Sequence, residues 1–299
     1  MRGNHSVMYD FAVIGGDRRQ VYLANYLRNR RYRVLVYGTE EQDLDRECKR
    51  AKSLLDAVTS ADCVIGPVVF SKDGKQIVSK QKKCPMKVGE LLGAMKRGQS
   101  LFGGCIPREV QKICDDKEIF LYDFMSMDDV AIYNAIATAE GAVVKAMELK
   151  PVNLHGSRCL ILGYGRCARV LAAKLKGLNT RVSICARREA ARSQGEADGF
   201  DSMDFQTLAR QIPQFDYIFN TVPAVILKED LLKRVSKEAC IVDIASMPGG
   251  VDWEAARELE ICAYLCPSLP GIYAPKSSGI RLAEKVLELK GRDQNEVGK

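Results

Sequence analysis

The amino-acid sequence predicts an α/β fold with two doubly wound parallel-sheet domains that a long helix joins. Three observations lead to this prediction. Short apolar runs alternate with helix-length segments along nearly all of the 299 residues. One segment, from about Asp129 to Leu149, has the length of a helix and is followed by Pro151, which stops it. The alternation starts again after this helix, so a second sheet is expected.

The first part of the chain contains five predicted strands. They are Phe11–Ile14, Arg33–Tyr37, Cys63–Val69, Ser100–Gly103 and Ile119–Phe124. The predicted helices include a segment from the turn Gly15-Gly16-Asp17 to Asn29, Val88–Lys96 and Pro107–Cys114. Residues Phe70–Pro85 are polar, rich in lysine and interrupted by Gly74, which predicts an excursion or an edge hairpin.

The second part of the chain repeats this alternation with clearer patterns. Its predicted strands are Cys159–Leu162, Val182–Cys185, Tyr217–Asn220, Cys240–Ile244 and Ile261–Leu265. Its predicted helices are Arg166–Lys176, Phe205–Gln211, Glu229–Val235 and Asp252–Leu259. Proline and glycine between Cys266 and Lys276 predict a stiff loop. A final helix, from about Ser278 to Lys290, is expected to pack on the N-terminal half.

Composition and charge exclude several classes of protein. The net charge of +7 comes from lysine and arginine spread along the chain, without the aromatic or zinc-finger patterns of nucleic-acid binding. The chain has two histidines, His5 and His155, and no CxxC pair, so no metal site is expected. Eleven cysteines, several in apolar runs, argue against a secreted disulfide framework. No apolar run reaches membrane-spanning length, so we expect a cytoplasmic protein.

A glycine motif, Gly163-Tyr164-Gly165-Arg166-Cys167-Ala168, lies between a predicted strand and a predicted helix. Gly163 permits the tight turn, Gly165 lets a pyrophosphate approach the backbone, and Ala168 allows close packing of the helix on the strand. The free N–H groups at the helix start favour a phosphate. This context predicts a Rossmann dinucleotide-binding domain, with cofactor contacts at Gly163, Tyr164, Gly165, Arg166 and Cys167.

The end of the next strand indicates which dinucleotide binds. A site for NAD typically carries Asp or Glu there, whereas this chain has Ala186-Arg187-Arg188. A guanidinium group pairs with a 2′-phosphate, which a carboxylate would repel. We therefore predict NADP, with NAD less favoured. The alternative is that both arginines are solvated surface charges and NAD binds weakly.

Two further segments follow strands of the second domain. Asn220, Thr221, Val222 and Pro223 follow one strand, and Ala245 and Ser246 follow the next, within Asp243–Gly250. Carboxyl ends of parallel strands meet at one edge of the sheet, so we predict cofactor contacts here. The alternative is that these polar residues only cap loops.

Three groups of polar residues are candidates for the substrate site. On the long helix, Asn134 and Thr138 share a face and Glu140 lies on the neighbouring one, which indicates a wet cleft or else a solvent-facing side. Lys276, Ser277 and Ser278 at the last helix's start predict an anion pocket or simple capping. Asp17 and Arg18 lie at the mouth of the first domain, or only cap its helix.

The predicted elements divide the chain into three parts. Residues 1–128, with a C-terminal helix at about 278–299, form an N-terminal flavodoxin/Rossmann-like substrate domain. Residues 129–150 form the linking helix, and residues 151–277 form the NADP-binding Rossmann domain. Ligands of open parallel sheets bind beyond the carboxyl ends of the strands, so the cleft between the domains is the expected site.

The chain resembles the dipicolinate synthase A-subunit family of spore-forming bacteria, from about residue 9 to residue 290. The matching stretches occur in family order. They are Gly15–Gln20, Asp128–Gly141, Gly163–Arg166, Asn220–Pro223, Asp243–Gly250 and Leu269–Lys276. The resemblance implies a polypeptide related to NAD(P)-dependent dehydrogenases, with the flavoprotein-like B subunit of dipicolinate synthase as partner. It also implies oxidation of a dihydrodipicolinate-type precursor to pyridine-2,6-dicarboxylate, in the mother-cell cytoplasm during sporulation. We also expect a homo-oligomer.

A dicarboxylate substrate needs at least two anion-binding features. Lys276 with the helix start, including Ser277 and Ser278, is one candidate, and Arg18 is another. Asn134 and Thr138 are further candidates for binding substrate. Glu140 and Asp17 are the candidate bases for the ring proton.

Two other functions remain open. One is another NAD(P)-dependent dehydrogenase of 2-hydroxyacid or alanine dehydrogenase architecture. The former typically uses a histidine–carboxylate pair in the later loops, and this chain has no histidine after His155. The other is a non-catalytic protein that binds NADP and regulates the B subunit.

Overall fold

The computed structural model describes residues 8–81 and 83–296. It contains two compact units, one formed by the chain up to Tyr133 and from Ala274 onward, and the other by Asn134–Tyr273. Each unit contains a six-stranded sheet whose neighbouring strands are all parallel, flanked by helices. The predicted α/β fold class is therefore confirmed. The predicted domain bounds stay a prediction, because a compact unit is not by itself an independently folding domain.

The first unit alternates strands and helices in chain order. Its elements are β1 (Tyr9–Ile14), α1 (Arg18–Asn29), β2 (Val34–Tyr37), β3 (Lys49–Arg50), α2 (Leu54–Thr59), β4 (Ala61–Ile65), α3 (Val88–Ala94), β5 (Ser100–Gly103), α4 (Arg108–Asp116), β6 (Phe120–Asp123), the start of α5 (Asp128–Leu149) and α12 (Pro275–Glu296). The strand order is β3-β2-β1-β4-β5-β6. This is the order of a doubly wound nucleotide-binding sheet, in which the order reverses next to the first strand.

The last helix, α12, packs on α1 within this unit. Leu282, Ala283 and Val286 of α12 are buried in the same cluster as Leu23 and Leu27 of α1. At Gly279 the backbones come so close that a Cβ atom would lie 2.4 Å from the carbonyl oxygen of Arg19. The small residue therefore sets how near the two helices approach.

The carboxyl end of β1 is covered by the chain's own insert, which we define as residues 70–81 and 83–86. Gly16 donates its N–H to the carbonyl of Val78 and accepts from Lys80 N–H, at 2.7 and 3.0 Å. Ile77 and Met86 of the insert are buried in the core. A Cβ on Gly15 would lie 2.6 Å from the carbonyl oxygen of Val78, so this turn has no room for a side chain.

The second unit repeats the same architecture. Its elements are the remainder of α5, β7 (Arg158–Leu162), α6 (Arg166–Gly177), β8 (Arg181–Cys185), α7 (Glu189–Ala197), β9 (Asp201–Met203), α8 (Phe205–Gln211), β10 (Tyr217–Asn220), α9 (Glu229–Leu232), β11 (Cys240–Asp243), α10 (Trp253–Glu258), β12 (Cys262–Leu265) and α11 (Leu269–Tyr273). The strand order β12-β11-β10-β7-β8-β9 reverses between β7 and β10, so a ligand crevice is expected at the carboxyl ends of these two strands.

The predicted stiff loop from Cys266 to Lys276 is wrong, because most of it is helical. Helix α11 occupies Leu269–Tyr273, and α12 begins at Pro275. Proline suits the first position of a helix, where its missing N–H has no intrahelical partner in any case. Gly141 on α5 lets α11 approach closely, since a Cβ there would lie 2.9 Å from the Leu269 Cβ.

Candidate functional site

The crevice of the second sheet holds a cavity of about 560 Å³. It lies where β7, β8 and β10 end and where α6 begins. Most of the predicted cofactor residues line it: Gly163, Tyr164, Gly165, Arg166, Cys167, Ala186, Arg187, Arg188, Thr221, Val222 and Pro223. Three predicted residues, Asn220, Ala245 and Ser246, do not line it.

The glycine turn between β7 and α6 is built for close approach. Gly163 has a φ of 91°, and a Cβ there would lie 2.7 Å from the Thr221 Oγ1, so only glycine fits. Gly165 is the N-cap of α6 and no side chain caps this helix. A Cβ on Gly165 would meet no atom within 4 Å. The first N–H groups of a 12-residue helix therefore face open space beside a bare backbone, which suits a phosphate.

The turn after β8 brings positive charge to the cavity. Ala186 is buried, whereas Arg187 and Arg188 are exposed. With Arg166, three arginines line the cavity, and none of its described lining residues is a carboxylate. Arg192 of α7 donates from Nη1 to the carbonyl oxygens of Ala186 and Arg187, at 2.9 Å each. The electrostatics of this turn favour an anion over a neutral hydroxyl.

The polar residues at the ends of β10 and β11 form hydrogen bonds that fix the backbone of the turns following these strands. Asn220 is fully buried and donates from Nδ2 to the Asp243 Oδ1 at 2.8 Å. Asp243 also accepts from the N–H groups of Ala245 and Gly250. Thr221 donates from Oγ1 to the carbonyl of Leu162 at 2.7 Å. The predicted cofactor contact of Asn220 therefore gains no support, because its side chain is used to fix these turns.

Two side chains of the glycine motif stay neutral. Burial and the neighbouring Asp198 carboxylate raise the pKa of Tyr164, whose hydroxyl donates to Asp198 Oδ2 at 2.6 Å. Burial also raises the pKa of the Cys167 thiol. Neither group has the lowered pKa of a nucleophile, so both shape the cavity rather than react in it.

The candidate residues on α5 lie in the second unit and differ in exposure. Glu140 is exposed and forms an ion pair with Lys174 of α6 at 2.8 Å. Thr138 is buried and donates from Oγ1 to the carbonyl of Asn134 at 3.0 Å, so its hydroxyl is used within its own helix. Asn134 is half-buried.

The candidates at the start of α1 lie in the first unit and already have partners. Asp17 caps α1 and forms two hydrogen bonds to Arg19, at 2.9 and 2.8 Å. Burial alone would raise the pKa of Asp17, but the hydrogen bonds and charge of Arg19 outweigh it and hold the pKa below its ordinary value. Arg18 pairs instead with Asp43 and donates to the Tyr22 hydroxyl. The buried arginine of this turn is thus Arg19, which the sequence did not single out.

The candidates at the start of α12 occupy its first turn, also in the first unit. Lys276 and Ser277 are exposed. Ser278 is 4% exposed, and its hydroxyl has no hydrogen-bond partner within the described part of the chain. The structure thus gathers most of the cofactor candidates in one cavity, whereas the substrate candidates are divided between the two units.

Further residues that the sequence did not single out line the cavity. They are Ala191, Phe205, Ala224 and Ile226. Ala224 and Ile226 directly continue the motif that ends at Pro223, so extending that motif would have found them. Phe205 opens α8 after β9, a three-residue strand that is too short to show a periodic pattern.

Residues 8–81 and 83–296 contain neither a metal-binding cluster nor a membrane-spanning helix. No three His, Cys, Asp or Glu side chains converge there so as to hold a metal ion. None of the helices in those ranges has both the length and the apolarity needed to cross a bilayer.

Two family descriptions match the chain. Residues 10–125 match the N-terminal domain of the dipicolinate synthase A subunit. Residues 129–248 match the NAD-binding domain of D-isomer specific 2-hydroxyacid dehydrogenases. The second match indicates a nicotinamide dinucleotide cofactor and an oxidoreductase.

Individual proteins match over nearly the full length. The dipicolinate synthase A subunit of Bacillus subtilis (strain 168) is 30% identical over 302 aligned residues, covering 96% of this chain and 98% of the relative. A crystal structure of the dipicolinate synthase A subunit from Bacillus subtilis has a TM-score of 0.82 at 27% identity, covering 97% of this chain and 98% of that one. The crystal structure of the same subunit from Bacillus halodurans has a TM-score of 0.83 at 24% identity, covering 95% and 98%.

The fold, the glycine turn and the full-length identity agree with one another, and they confirm the resemblance found in the sequence. This chain belongs to the dipicolinate synthase A-subunit family.

Proposed function

We propose that this protein oxidises a dihydrodipicolinate-type precursor to pyridine-2,6-dicarboxylate with NADP as the hydride acceptor. The product is taken from the name of the Bacillus subtilis relative, a dipicolinate synthase subunit, and the class of precursor is the one that the sequence resemblance implies. The choice of NADP rests on one observation. Arg187 and Arg188 follow β8 at the cavity, and the described lining residues include no carboxylate that would take the ribose hydroxyl of NAD.

The cavity fits a dinucleotide with a 2′-phosphate. The bare backbone at Gly165 and the uncapped start of α6 match a pyrophosphate, and Arg187 and Arg188 are exposed side chains that line the cavity. When bound, the nicotinamide ring supplies the acceptor for the hydride. The protein's contribution is to bind and orient it, and to leave room for the substrate ring.

The substrate loses a hydride and a proton as its ring becomes aromatic, so a base is required. We propose Glu140 before Asp17, because the hydrogen bonds and charge of Arg19 hold the pKa of Asp17 below its ordinary value and weaken its carboxylate as a base. For the two substrate carboxylates we propose Lys276, with Ser277 and Ser278, and Arg18. Arg18 would have to exchange Asp43 for substrate. Asn134 and Thr138 remain proposed as substrate contacts, and Asn220, Ala245 and Ser246 as cofactor contacts.

The name of the relative implies a second polypeptide, and we propose the flavoprotein-like B subunit of dipicolinate synthase as the partner. We also propose that the protein forms a homo-oligomer and acts in the mother-cell cytoplasm during sporulation.

A nucleotide titration tests the cofactor choice. NADPH and NADH are added to the purified wild-type protein and to Arg187→Ala/Arg188→Ala while nicotinamide fluorescence is followed. We expect the double variant to lose NADPH affinity by about 100-fold, as two charge-assisted contacts are removed, with NADH changed by less than about threefold. Arg181→Ala, at the other end of β8, is the matched control. Equal affinity of the wild type for both nucleotides would exclude the NADP preference.

Regulation of a partner by a non-catalytic, NADP-binding protein is the second candidate function. It is favoured by the ion pairs of Glu140 and Asp17, since neither proposed base is free in the structure. Turnover of precursor with NADP⁺ separates the two functions. Activity of the purified chain alone supports the enzyme, whereas persistent absence of turnover without the B subunit excludes a self-sufficient enzyme.

A further inference from the structure

We propose that Arg192 is a positioning residue that sets cofactor selectivity by holding the turn that carries Arg187 and Arg188. This inference rests on the proposed NADP site and deepens it. Arg192 does not line the cofactor cavity. It lines the adjacent cavity of about 630 Å³, together with Arg181 and Asp204. Because Arg192 contacts the turn and not the cavity, we expect its main effect on the cofactor to pass through the turn.

The contact that carries the inference is a bridge between two successive carbonyl groups. Nη1 of Arg192 donates to the carbonyl oxygens of Ala186 and Arg187, at 2.9 Å each. Fixing two consecutive carbonyls fixes the two peptide planes between which the backbone of Arg187 turns. The direction in which the Arg187 side chain leaves the backbone is thereby set, and the second plane fixes the position from which Arg188 follows.

The arginine is itself held in place, as a bridge of this kind requires. Its backbone carbonyl accepts from the Ser202 Oγ at 3.0 Å, which ties α7 to β9. The N–H of Ala186 donates to the carbonyl of Met203, which ties the start of the turn to β9 as well. The guanidinium thus spans two points that are anchored to the same edge of the sheet.

The bridge also changes the electrostatics of the turn. Carbonyl oxygens carry partial negative charge, and two of them beside a phosphate site would oppose an anion. Hydrogen bonding to a guanidinium offsets that charge. NADPH, which carries the extra phosphate, benefits from this compensation, whereas the neutral ribose hydroxyl of NADH gains little.

The test compares Arg192→Met with Arg181→Met, which removes a positive charge from the same adjacent cavity without touching the turn. Nucleotide affinity is measured by the same fluorescence titration. We expect Arg192→Met to weaken NADPH binding by about tenfold, the size of a charged hydrogen-bond effect, and NADH binding by less than about twofold. Arg181→Met is expected to leave both affinities unchanged. Equal losses for both nucleotides in Arg192→Met would indicate a merely structural role and overturn the proposal.

A double-mutant cycle separates positioning from direct attraction. In the Arg187→Ala/Arg188→Ala background, Arg192→Met is expected to weaken NADPH binding by much less than tenfold, because the side chains it positions are gone and only its compensation of the two carbonyls remains. The same tenfold loss in both backgrounds would show independent action and overturn the proposal. If Arg192→Met does not fold, Arg192→Gln takes its place, since it is polar but too short to bridge both carbonyls.

Failure of this inference is distinguishable from failure of the proposed function. A wild type that prefers NADPH, and loses the preference in Arg187→Ala/Arg188→Ala but keeps it in Arg192→Met, overturns the role of Arg192 alone. A wild type without any preference overturns both, and this is already visible before any variant of Arg192 is made.

Discussion

The two sheets share one strand order but differ at the start of the helix that follows their first strand. In the first unit, Asp17 caps α1 with its carboxylate, and the insert covers the turn before it. In the second unit, Gly165 occupies the same place before α6, with neither a cap nor a covering segment. Strand order therefore positions a crevice, but the N-cap residue and the neighbouring loop decide whether an anion can use it.

The largest expected effect comes from giving α6 of the second unit the aspartate N-cap that α1 has in the first unit. In Gly165→Asp the carboxylate would satisfy the free N–H groups of α6 and repel a pyrophosphate. We expect NADPH affinity to fall by more than about 100-fold, while a good N-cap leaves stability unchanged or raises it by about 1 kcal/mol. Fluorescence titration and thermal unfolding measure the two effects. Retained affinity in a folded variant would show that the anion does not bind at this helix start.

The next largest effect is expected from a substitution beside the first sheet, which should lower the free energy of unfolding and leave NADPH affinity unchanged. Gly15→Ala places a methyl group 2.6 Å from the carbonyl oxygen of Val78, at a φ of 61°. We expect a loss of about 2–3 kcal/mol in the free energy of unfolding, measured in urea, because the insert must shift. NADPH affinity should stay within about twofold of wild type. A large loss of affinity would contradict the assignment of the cofactor to the second sheet.

The smallest effect concerns the pH dependence of the Asp17–Arg19 pair. Because the pKa of Asp17 is lowered in the folded protein, its ionised form stabilises the fold above the unfolded pKa of about 4. This contribution is lost as the pH falls through the lower, folded pKa. We expect Asp17→Asn to reduce the free energy of unfolding by about 1–2 kcal/mol at pH 7. The difference from wild type should shrink below about pH 4. A difference that does not change with pH would mean that the charge is unimportant.

Much of the second unit follows from local sequence, because its features depend on neighbours in the chain. The glycine turn, the long helix and most strands have lengths and periods that reveal them. The two-residue β3 of the first unit and the short α11 do not, because they are too short for a periodic pattern. Three prolines and one glycine around α11 favoured a loop there.

The hydrogen bonds and ion pairs of individual arginines could not be predicted from the sequence, because they depend on how helices and strands pack. The sequence places Arg187 and Arg188 at the cavity, but the bridge from Arg192 depends on how α7 packs beside β9. Likewise, neighbouring arginines at positions 18 and 19 look equivalent in the sequence. The helix turns one toward Asp43 and buries the other against Asp17.

The first unit is assembled from two separated pieces of chain, and this has a consequence for synthesis on the ribosome. Leu282, Ala283 and Val286 cover α1, and they are translated after the whole of the second unit. The second unit is one continuous stretch and has all its strands before α12 appears. The cofactor-binding unit is therefore synthesised in full before the helix that completes the unit at the start of the chain.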